Sequence, residues 1–446
     1  MKLIRQKIMS VALLCFLLIT ITMVSCKKDD GKGKYINFIL IMADDLGYGD
    51  LSCYGNKHIQ TPYIDQLAKE GMLFTNYHSN GAVCSPTRAA LLTGRYQQKS
   101  GIEGVVTAVK YRHAGLPLPE VTMAEVFKEY GYKTGIVGKW HLGYDTLYNP
   151  LNQGFDYFTG YVSGNIDYIS HVDQTGYSDW WIGKDTSDEP GYSTDMITTH
   201  SIEFLKNNHD KPFLLYIAHE APHYPYQGRN DKADRFQGKK APHLGSREDR
   251  ENAYREMIGI MDEGIGKVMK TVNDLGLSKN TMVFFCSDNG ANMVGSNGAL
   301  RGFKGQLFEG GTRVPAIAWF PGVIIPSSKY HDPVVSMDIM PTFLSVAEIP
   351  IPEGLDLDGV DVSPGVLFGE PGPERPLFWR YGDKKSVTFN SWKLLVQDND
   401  TMVFNLKDDL TEQENLLDQY PEKLNQLLEI LIAWEQEVDN YELITR

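Results

Sequence analysis

Tyr35-Ile36-Asn37-Phe38-Ile39-Leu40-Ile41-Met42-Ala43-Asp44-Asp45 is an apolar, β-rich run that breaks off into two carboxylates. The layout recurs three times. Lys133–Val137 runs into Gly138-Lys139-Trp140-His141, Phe213–Ala218 into His219-Glu220-Ala221-Pro222-His223, and Met282–Cys286 into Ser287-Asp288-Asn289-Gly290. Elsewhere the period is helical: Tyr254, Met257, Ile258, Met261, Ile265, Val268, Val272 and Leu275 share one face of a 3.6-residue repeat and read as core packed on a sheet. Short apolar strands alternating with amphipathic helices specify an α/β fold. In open sheets of that class, ligands bind outside the carboxyl ends of the strands. Four strands that each deliver polar groups past that end therefore predict one shared site, because folding needs alone do not explain them.

A chain of 446 residues is too long for one small core and predicts one large domain, or one large and one small. A hydrophobic content of 42% against 22% charged excludes a disordered chain. The Pro- and Gly-rich stretch from Pro350 to Pro376 marks a change of character. After it come short alternating strands (Ser386–Phe389, Trp392–Gln397, Met402–Asn405) and a final helix with Leu424, Leu427, Leu428, Leu431 and Trp434 on one side. The expected division is a catalytic domain over residues 35–360 and a small α+β domain over 361–446.

Lys2, Arg5 and Lys7 precede an apolar run from Ile8 to Val24, the layout of a secretory signal peptide. The run is short for the alternative, a membrane-anchor helix. Met23-Val24-Ser25-Cys26 resembles a bacterial lipobox, which implies removal of residues 1–25 and a lipid on Cys26. Residues 26–34 then form a lipidated tether, and the protein is a periplasmic or outer-membrane, cell-surface lipoprotein. Losing residues 1–25 takes away three basic side chains and no acidic one, so a net charge of −14 becomes −17. That field argues against a nucleic-acid partner and obliges any anionic substrate to find a local basic pocket. Of five cysteines, Cys15 leaves with the signal and Cys26 carries lipid. An odd remainder of Cys53, Cys84 and Cys286 argues against a disulfide framework and flags a thiol with another use. Cys53 and Cys286 read as buried free thiols.

That other use falls to Cys84-Ser85-Pro86-Thr87-Arg88, followed by Ala89-Ala90-Leu91-Leu92-Thr93-Gly94-Arg95. Pro86 suits a first helical turn, and unpaired amides with the positive end of the dipole would face an anion at Cys84. The alternative is a buried cysteine opening an ordinary core helix. The C-x-P-x-R core with its apolar and Thr-Gly tail resembles the signature of the type I sulfatases, in the alkaline phosphatase superfamily. Asp44-Asp45-Leu46-Gly47-Tyr48-Gly49-Asp50, Gly138-Lys139-Trp140-His141-Leu142-Gly143, Ala221-Pro222-His223, Ser287-Asp288-Asn289-Gly290 and Arg301-Gly302-Phe303-Lys304-Gly305 follow in the family's order, so the resemblance covers nearly all of the mature chain.

The resemblance implies an alkaline-phosphatase-like α/β sandwich: a large mixed, mostly parallel sheet flanked by helices, with a small C-terminal α+β domain and an antiparallel sheet. It implies that a maturation enzyme oxidises Cys84 to formylglycine (3-oxoalanine), whose hydrate attacks sulfur and then expels sulfate by re-forming the aldehyde. It also implies one calcium ion on Asp44, Asp45, Asp288, Asn289 and the modified Cys84; hard oxygen ligands of this kind suit calcium or magnesium rather than zinc. Arg88 and Lys139 would hold the ionised hydrate, and His141 would be the base for the final elimination. His223, as general acid, and Lys304 would meet the sulfate and the leaving oxygen. Convergence of cations is what the chemistry demands: an enzyme must remove about 8–23 kcal/mol of barrier, and one well-placed donor supplies only about 3–4 kcal/mol.

Tyr161–Trp181 is rich in aromatics interspersed with Asp167, His171 and Asp173. It suits a sugar ring, or equally an insertion packing on itself; His219 is open in the same way. A sulfated carbohydrate is the expected substrate, with a galactose-type unit favoured by a loose likeness of Gly164–Trp181 to carbohydrate sulfatases. Two other readings stand beside it. A phosphonate or phosphate monoester hydrolase of the same superfamily can share the formylglycine. A non-catalytic lipoprotein binding sulfated glycans would be expected to lack some of Cys84, Arg88, Lys139, His141, His223 and Lys304, and all are present.

Overall fold

The structure, a computed structural model, describes residues 35–239 and 244–441. The signal segment, the Cys26 lipid site and the tether lie outside the described residues. Within the described residues sixteen strands, numbered along the chain, are β1 (Asn37–Ala43), β2 (Met72–Phe74), β3 (Tyr77–His78), β4 (Lys133–Lys139), β5 (Tyr157–Tyr161), β6 (Trp181–Ile182), β7 (Asp185–Thr186), β8 (Phe213–Ala218), β9 (Thr281–Ser287), β10 (Ala316–Trp319), β11 (Ser328–Tyr330), β12 (Val334–Val335), β13 (Leu377–Tyr381), β14 (Lys384–Phe389), β15 (Trp392–Gln397) and β16 (Asp400–Asn405).

Ten of them form one sheet in the order β11-β2-β10-β9-β1-β8-β4-β5-β6-β7. The central strands β9, β1, β8, β4 and β5 run parallel, and antiparallel pairs flank them at β10 and β6. The four strands read from the sequence are thus the contiguous set β9-β1-β8-β4, and their carboxyl ends share one edge.

Every residue of β1, β8 and β9 is buried, as a parallel sheet covered on both faces requires. Alternation divides β1 between two cores. Phe38, Leu40 and Met42 pack with residues of the helices Cys84–Thr93, Met123–Glu129 and Ile339–Val346. Ile39, Ile41 and Ala43 pack with the helices Pro62–Glu70, Ser193–Asn208 and Arg250–Asp274. The long helix Arg250–Asp274 buries the expected apolar positions, with Leu275 just beyond its end. Strand β4 runs two residues farther than its apolar run, because Gly138 and Lys139 continue the pairing with β5. Glycine is needed there: Gly138 has φ +107°, and a Cβ would stand 2.0 Å from the carbonyl oxygen of Ala218.

The C-terminal part is an antiparallel sheet, β13-β14-β15-β16, covered by the helix Pro421–Asp439 through Leu427, Leu431, Trp434 and Val438. Strand β13, absent from the sequence reading, follows directly on the Pro- and Gly-rich stretch. That stretch is fastened rather than loose: Asp358 and Gly359 donate backbone N–H groups to Gly94 O, and Val360 N donates to Asp338 Oδ1. The small sheet shares its core with Ala82, Ala90, Tyr96, Leu307 and Phe308 of the larger part. At this junction Lys393, on β15, lies 2.9 Å from Glu309 and 2.8 Å from Glu412, all three side chains buried.

Removing one member of such a group strands the others without compensation. Lys393→Met should therefore lower the stability in urea denaturation by about 3–5 kcal/mol, with a proportionate fall in the midpoint. An unshifted midpoint would show that this lysine does not neutralise the two acids.

Candidate active site

The edge is assembled by backbone links between strand ends. Asp44 N donates to Ala221 O, His219 N to Met42 O and Asp288 N to Ala43 O, while Asp45 N donates to Asp288 Oδ1 at 3.2 Å. Two non-glycine residues here take left-handed backbone, Asp45 at φ 63° and His141 at φ 57°. That conformation is costly and concentrates at functional sites. The helix Cys84–Thr93 begins after extended Val83, carries Pro86 in its first turn, ends at left-handed Gly94 and is buried along its whole length. It places Cys84 against the end of β1.

Cys84 Sγ stands 3.4 Å from Asp44 Oδ1 and 3.4 Å from Lys304 Nζ. Around it three acids face three cations. Lys139 Nζ donates to Asp44 Oδ2 at 2.5 Å, and Lys304 Nζ to Asp45 Oδ1 at 2.6 Å. Arg88 spans Asp288 Oδ2 with Nη2 at 2.9 Å and Nε at 3.2 Å, and also reaches Lys139 O and the Tyr216 hydroxyl. His223 Nε2 lies 3.8 Å from Asp45 Oδ2, and its Nδ1 meets Tyr224 O at 2.6 Å. His141 Nε2 meets Val106 O at 3.1 Å. Every catalytic and metal-binding candidate named from the sequence is in this one cluster.

Ligand atoms of Asp44, Asp45, Cys84 and His223 all lie within 4.8 Å of one another. Asn289 donates Nδ2 to Asp45 Oδ1 at 2.8 Å and leaves a buried Oδ1 with no partner among the described residues. Both Asp288 oxygens are already engaged, by Asp45 N and Arg88, but each carboxylate oxygen keeps a second lone pair. A hard, oxygen-rich donor set with an orphaned amide oxygen fits calcium or magnesium.

Burial sets the proton affinities, and neighbouring charge corrects them. Burial alone would raise the Asp45 carboxyl, but Lys304 and His223 beside it bring it below the usual carboxylate range. Asp288 is pushed up to about 6 by burial and by Asp44, against the pull of Arg88. Burial, with Asp288 and Asp44, holds the Cys84 thiol protonated. Burial also drives His141 and His223 well below the ordinary histidine value; Lys139 and Arg88 add to the effect at His141.

A cavity of about 330 Å³ opens on this cluster, lined by Cys84, His141, His223 and Lys304 together with Tyr144, Tyr224 and Tyr381. The aromatic insertion divides between cavity wall and internal packing. Asp173 lines the cavity and holds Arg112 at 3.3 Å. Asp167 is consumed by backbone N–H groups of Ile169, Ser170, Asp234 and Arg235, and His171 by Gly191 O. His219 is buried, with Nδ1 unpartnered, pushed down to about 3 by burial, and absent from the cavity wall. Cys53 and Cys286 are free thiols, Cys53 only half-buried. The sequence reading missed Asn292, which donates to Asp45 Oδ2 at 3.2 Å only two residues past a recognised motif. It also missed Tyr216, whose position inside an apolar strand gave no signal.

A family model described as Sulfatase matches residues 36–349. N-acetylgalactosamine-6-sulfatase of Mus musculus is 35% identical over 386 residues, covering 80% of this chain and 71% of that protein. Arylsulfatase A of Homo sapiens is 34% identical over 377 residues, covering 77% and 70%. Among solved structures, Ps i-CgsB in complex with k-i-k-neocarrahexaose matches with a TM-score of 0.82 at 28% identity, over 92% of this chain and 95% of that one. The phosphonate monoester hydrolase of Agrobacterium radiobacter, at 19% identity and a TM-score of 0.67, shares the fold.

The ring of His141 rests against Gly164, where a Cβ would sit 2.8 Å from Nε2 and 2.9 Å from Cε1. Gly164→Ala must displace that imidazole, and a shift of about 1 Å in a reacting group can cost about 100-fold in rate. Steady-state hydrolysis of 4-nitrophenyl sulfate should show a fall of at least about tenfold in kcat, with little change in Tm. An unchanged kcat would mean that this contact does not set the ring.

Proposed function

The chain belongs to the sulfatase family and is a sulfuric ester hydrolase; from this we propose that it removes sulfate from a sulfated saccharide, using a formylglycine made from Cys84 and one bound calcium ion. The observation that carries the reading is the convergence of Arg88, Lys139, Lys304, His141 and His223 on Cys84 inside one oxygen-rich cluster. A sulfate monoester needs such a density of cations, and a thiol serving only as core packing does not.

In this reading Asp44, Asp45, Asp288 and Asn289 would hold the calcium, which would supply positive charge at the site. Formylglycine at position 84 would supply, once hydrated by water, two hydroxyls on one carbon, the chemistry needed both to take sulfate from the ester and to release it. Arg88 and Lys139 would hold the oxygens of the modified residue 84 in place. His223 protonates the departing alcohol oxygen, Lys304 meets the same side of the ester, and His141 takes the proton of the second hydroxyl in the release step. Neutral imidazoles suit a base directly; His223 gains its proton as the anionic ester enters and offsets the surrounding positive charge.

The saccharide is supported by the cavity. Tyr144, Tyr224 and Tyr381 offer aromatic faces in the cavity wall, which match the CH faces of a sugar ring. The mouse relative is named N-acetylgalactosamine-6-sulfatase, which supports a galactose-type unit, and Ps i-CgsB was solved with k-i-k-neocarrahexaose, which supports a saccharide. The same reading has the chain exported on residues 1–25, anchored through a lipid on Cys26 and matured at Cys84 by a formylglycine-generating enzyme.

Protein coexpressed with a maturation enzyme should show, in the peptide containing Cys84, the mass loss of exchanging a thiol-bearing methylene for an aldehyde. Cys84→Ala should abolish turnover without lowering Tm, and Cys84→Ser should accept sulfate once and stall as a covalent ester. Turnover by Cys84→Ala would end the formylglycine reading. Protein stripped with EDTA should melt earlier and recover on adding calcium, and Asp45→Ala should lose that recovery. Recovery retained in the variant would move the ion elsewhere.

A further inference from the structure

The loop after β5 carries a polar side chain that the chemistry above leaves unused. Asn165 lines the cavity that holds Cys84, is only 5% exposed, and its Oδ1 makes no hydrogen bond among the described residues. A buried amide oxygen left in that state costs about 1–3 kcal/mol, and such groups are rare enough in folded proteins to need a reason. Resting on the saccharide reading of this site, we propose that Asn165 is a specificity residue whose carboxamide hydrogen-bonds a ring hydroxyl of the sulfated sugar.

The surrounding loop shows why the amide is held unsatisfied rather than turned to a protein partner. Its own carbonyl accepts from Ser163 Oγ at 3.0 Å and from Arg235 Nη1 at 3.4 Å. On one side Val162 N and Ser163 N donate to Asp179; on the other Ile166 N donates to Glu220 at 2.7 Å. Both acids are buried. Clamped at both ends, the loop cannot swing to satisfy Asn165.

Its distance from the reacting atoms is also fixed. Gly164, the preceding residue, lies against the His141 ring so closely that no side chain fits. Three neighbouring polar groups in the wall are spent internally. Asp173 binds Arg112 and the N–H groups of Thr175 and Tyr177, Ser163 Oγ binds Asn165 O, and the Tyr144 hydroxyl accepts from Gly164 N. Asn165 is therefore free to meet a ligand. An amide that must be paired by a substrate hydroxyl rejects an analogue lacking it far more strongly than an apolar pocket rejects a missing methylene.

The test compares matured wild-type enzyme with Asn165→Ala on N-acetylgalactosamine 6-sulfate, on galactose 6-sulfate, on their monodeoxy analogues and on 4-nitrophenyl sulfate, which carries no sugar hydroxyl. On the sulfated sugar that wild type prefers, Asn165→Ala should lower kcat/KM by about 10- to 100-fold, while kcat/KM on 4-nitrophenyl sulfate stays unchanged. On one monodeoxy analogue the two enzymes should become equal, which identifies the hydroxyl read by the amide. An equal loss on 4-nitrophenyl sulfate, no loss on the sugar, or a loss that persists on every deoxy analogue overturns the role of Asn165 and leaves the saccharide reading intact. Wild-type enzyme that cleaves 4-nitrophenyl sulfate but neither sugar overturns the galactose-type reading and this proposal with it.

Discussion

Three buried carboxylates at the carboxyl edge of β1 and β9 are each matched by a cation from another element: Asp44 by Lys139, Asp45 by Lys304, Asp288 by Arg88. Charges are buried in a protein only where they are paired or bind metal. The pairing therefore constrains everything around it. The strands must run parallel in the order β9-β1-β8-β4 for Lys139 to reach Asp44. The helix Cys84–Thr93 must enter from the opposite layer for Arg88 to reach Asp288, and the loop around Lys304 must fold back over Asp45.

Stability alone would not retain such an arrangement. Replacing a buried ion pair by well-packed apolar residues is often neutral or stabilising by about 1–4 kcal/mol. Here the six charged groups enclose Cys84 and an unpartnered amide oxygen of Asn289, and two backbones nearby are held in left-handed geometry. Charge, strain and orphaned polar atoms coincide where a dianionic transition state and a cation would be accommodated, so the same groups that make the site expensive to fold make it suited to its reaction.

The central strands and the long helix were legible because their periodicity is local. Strands β2, β10 and β11 were not: they are three or four residues long, and their pairing joins Met72–Phe74 to residues more than two hundred positions away. The site was legible to the extent that its residues sit at strand ends or in the helix-opening motif. In the aromatic insertion, charge drew the eye to Asp167 and His171, yet backbone groups claim both, while the uncharged Asn165 faces the cavity. Which polar side chain stays available depends on how many N–H groups the folded loop leaves over, a quantity that composition does not carry.

The C-terminal sheet also bears on the chemistry, although its sequence announces none. Lys384 of β14 donates to Gly305 O at 2.9 Å, next to Lys304, whose own N–H is tied to Ala291 O while Gly305 N is tied to Ala82 O. Lys393 of β15 neutralises Glu309 just downstream, and Tyr381, closing β13, reaches the cavity wall. The proposed contact of Lys304 with the leaving oxygen requires a closely held backbone, since a misplacement of about 1 Å can cost about 100-fold in rate. The small sheet supplies that fixation from the side of the cavity that the large sheet does not touch. The two sheets therefore share one site: the large sheet places the acids, and the small one steadies the lysine that answers Asp45.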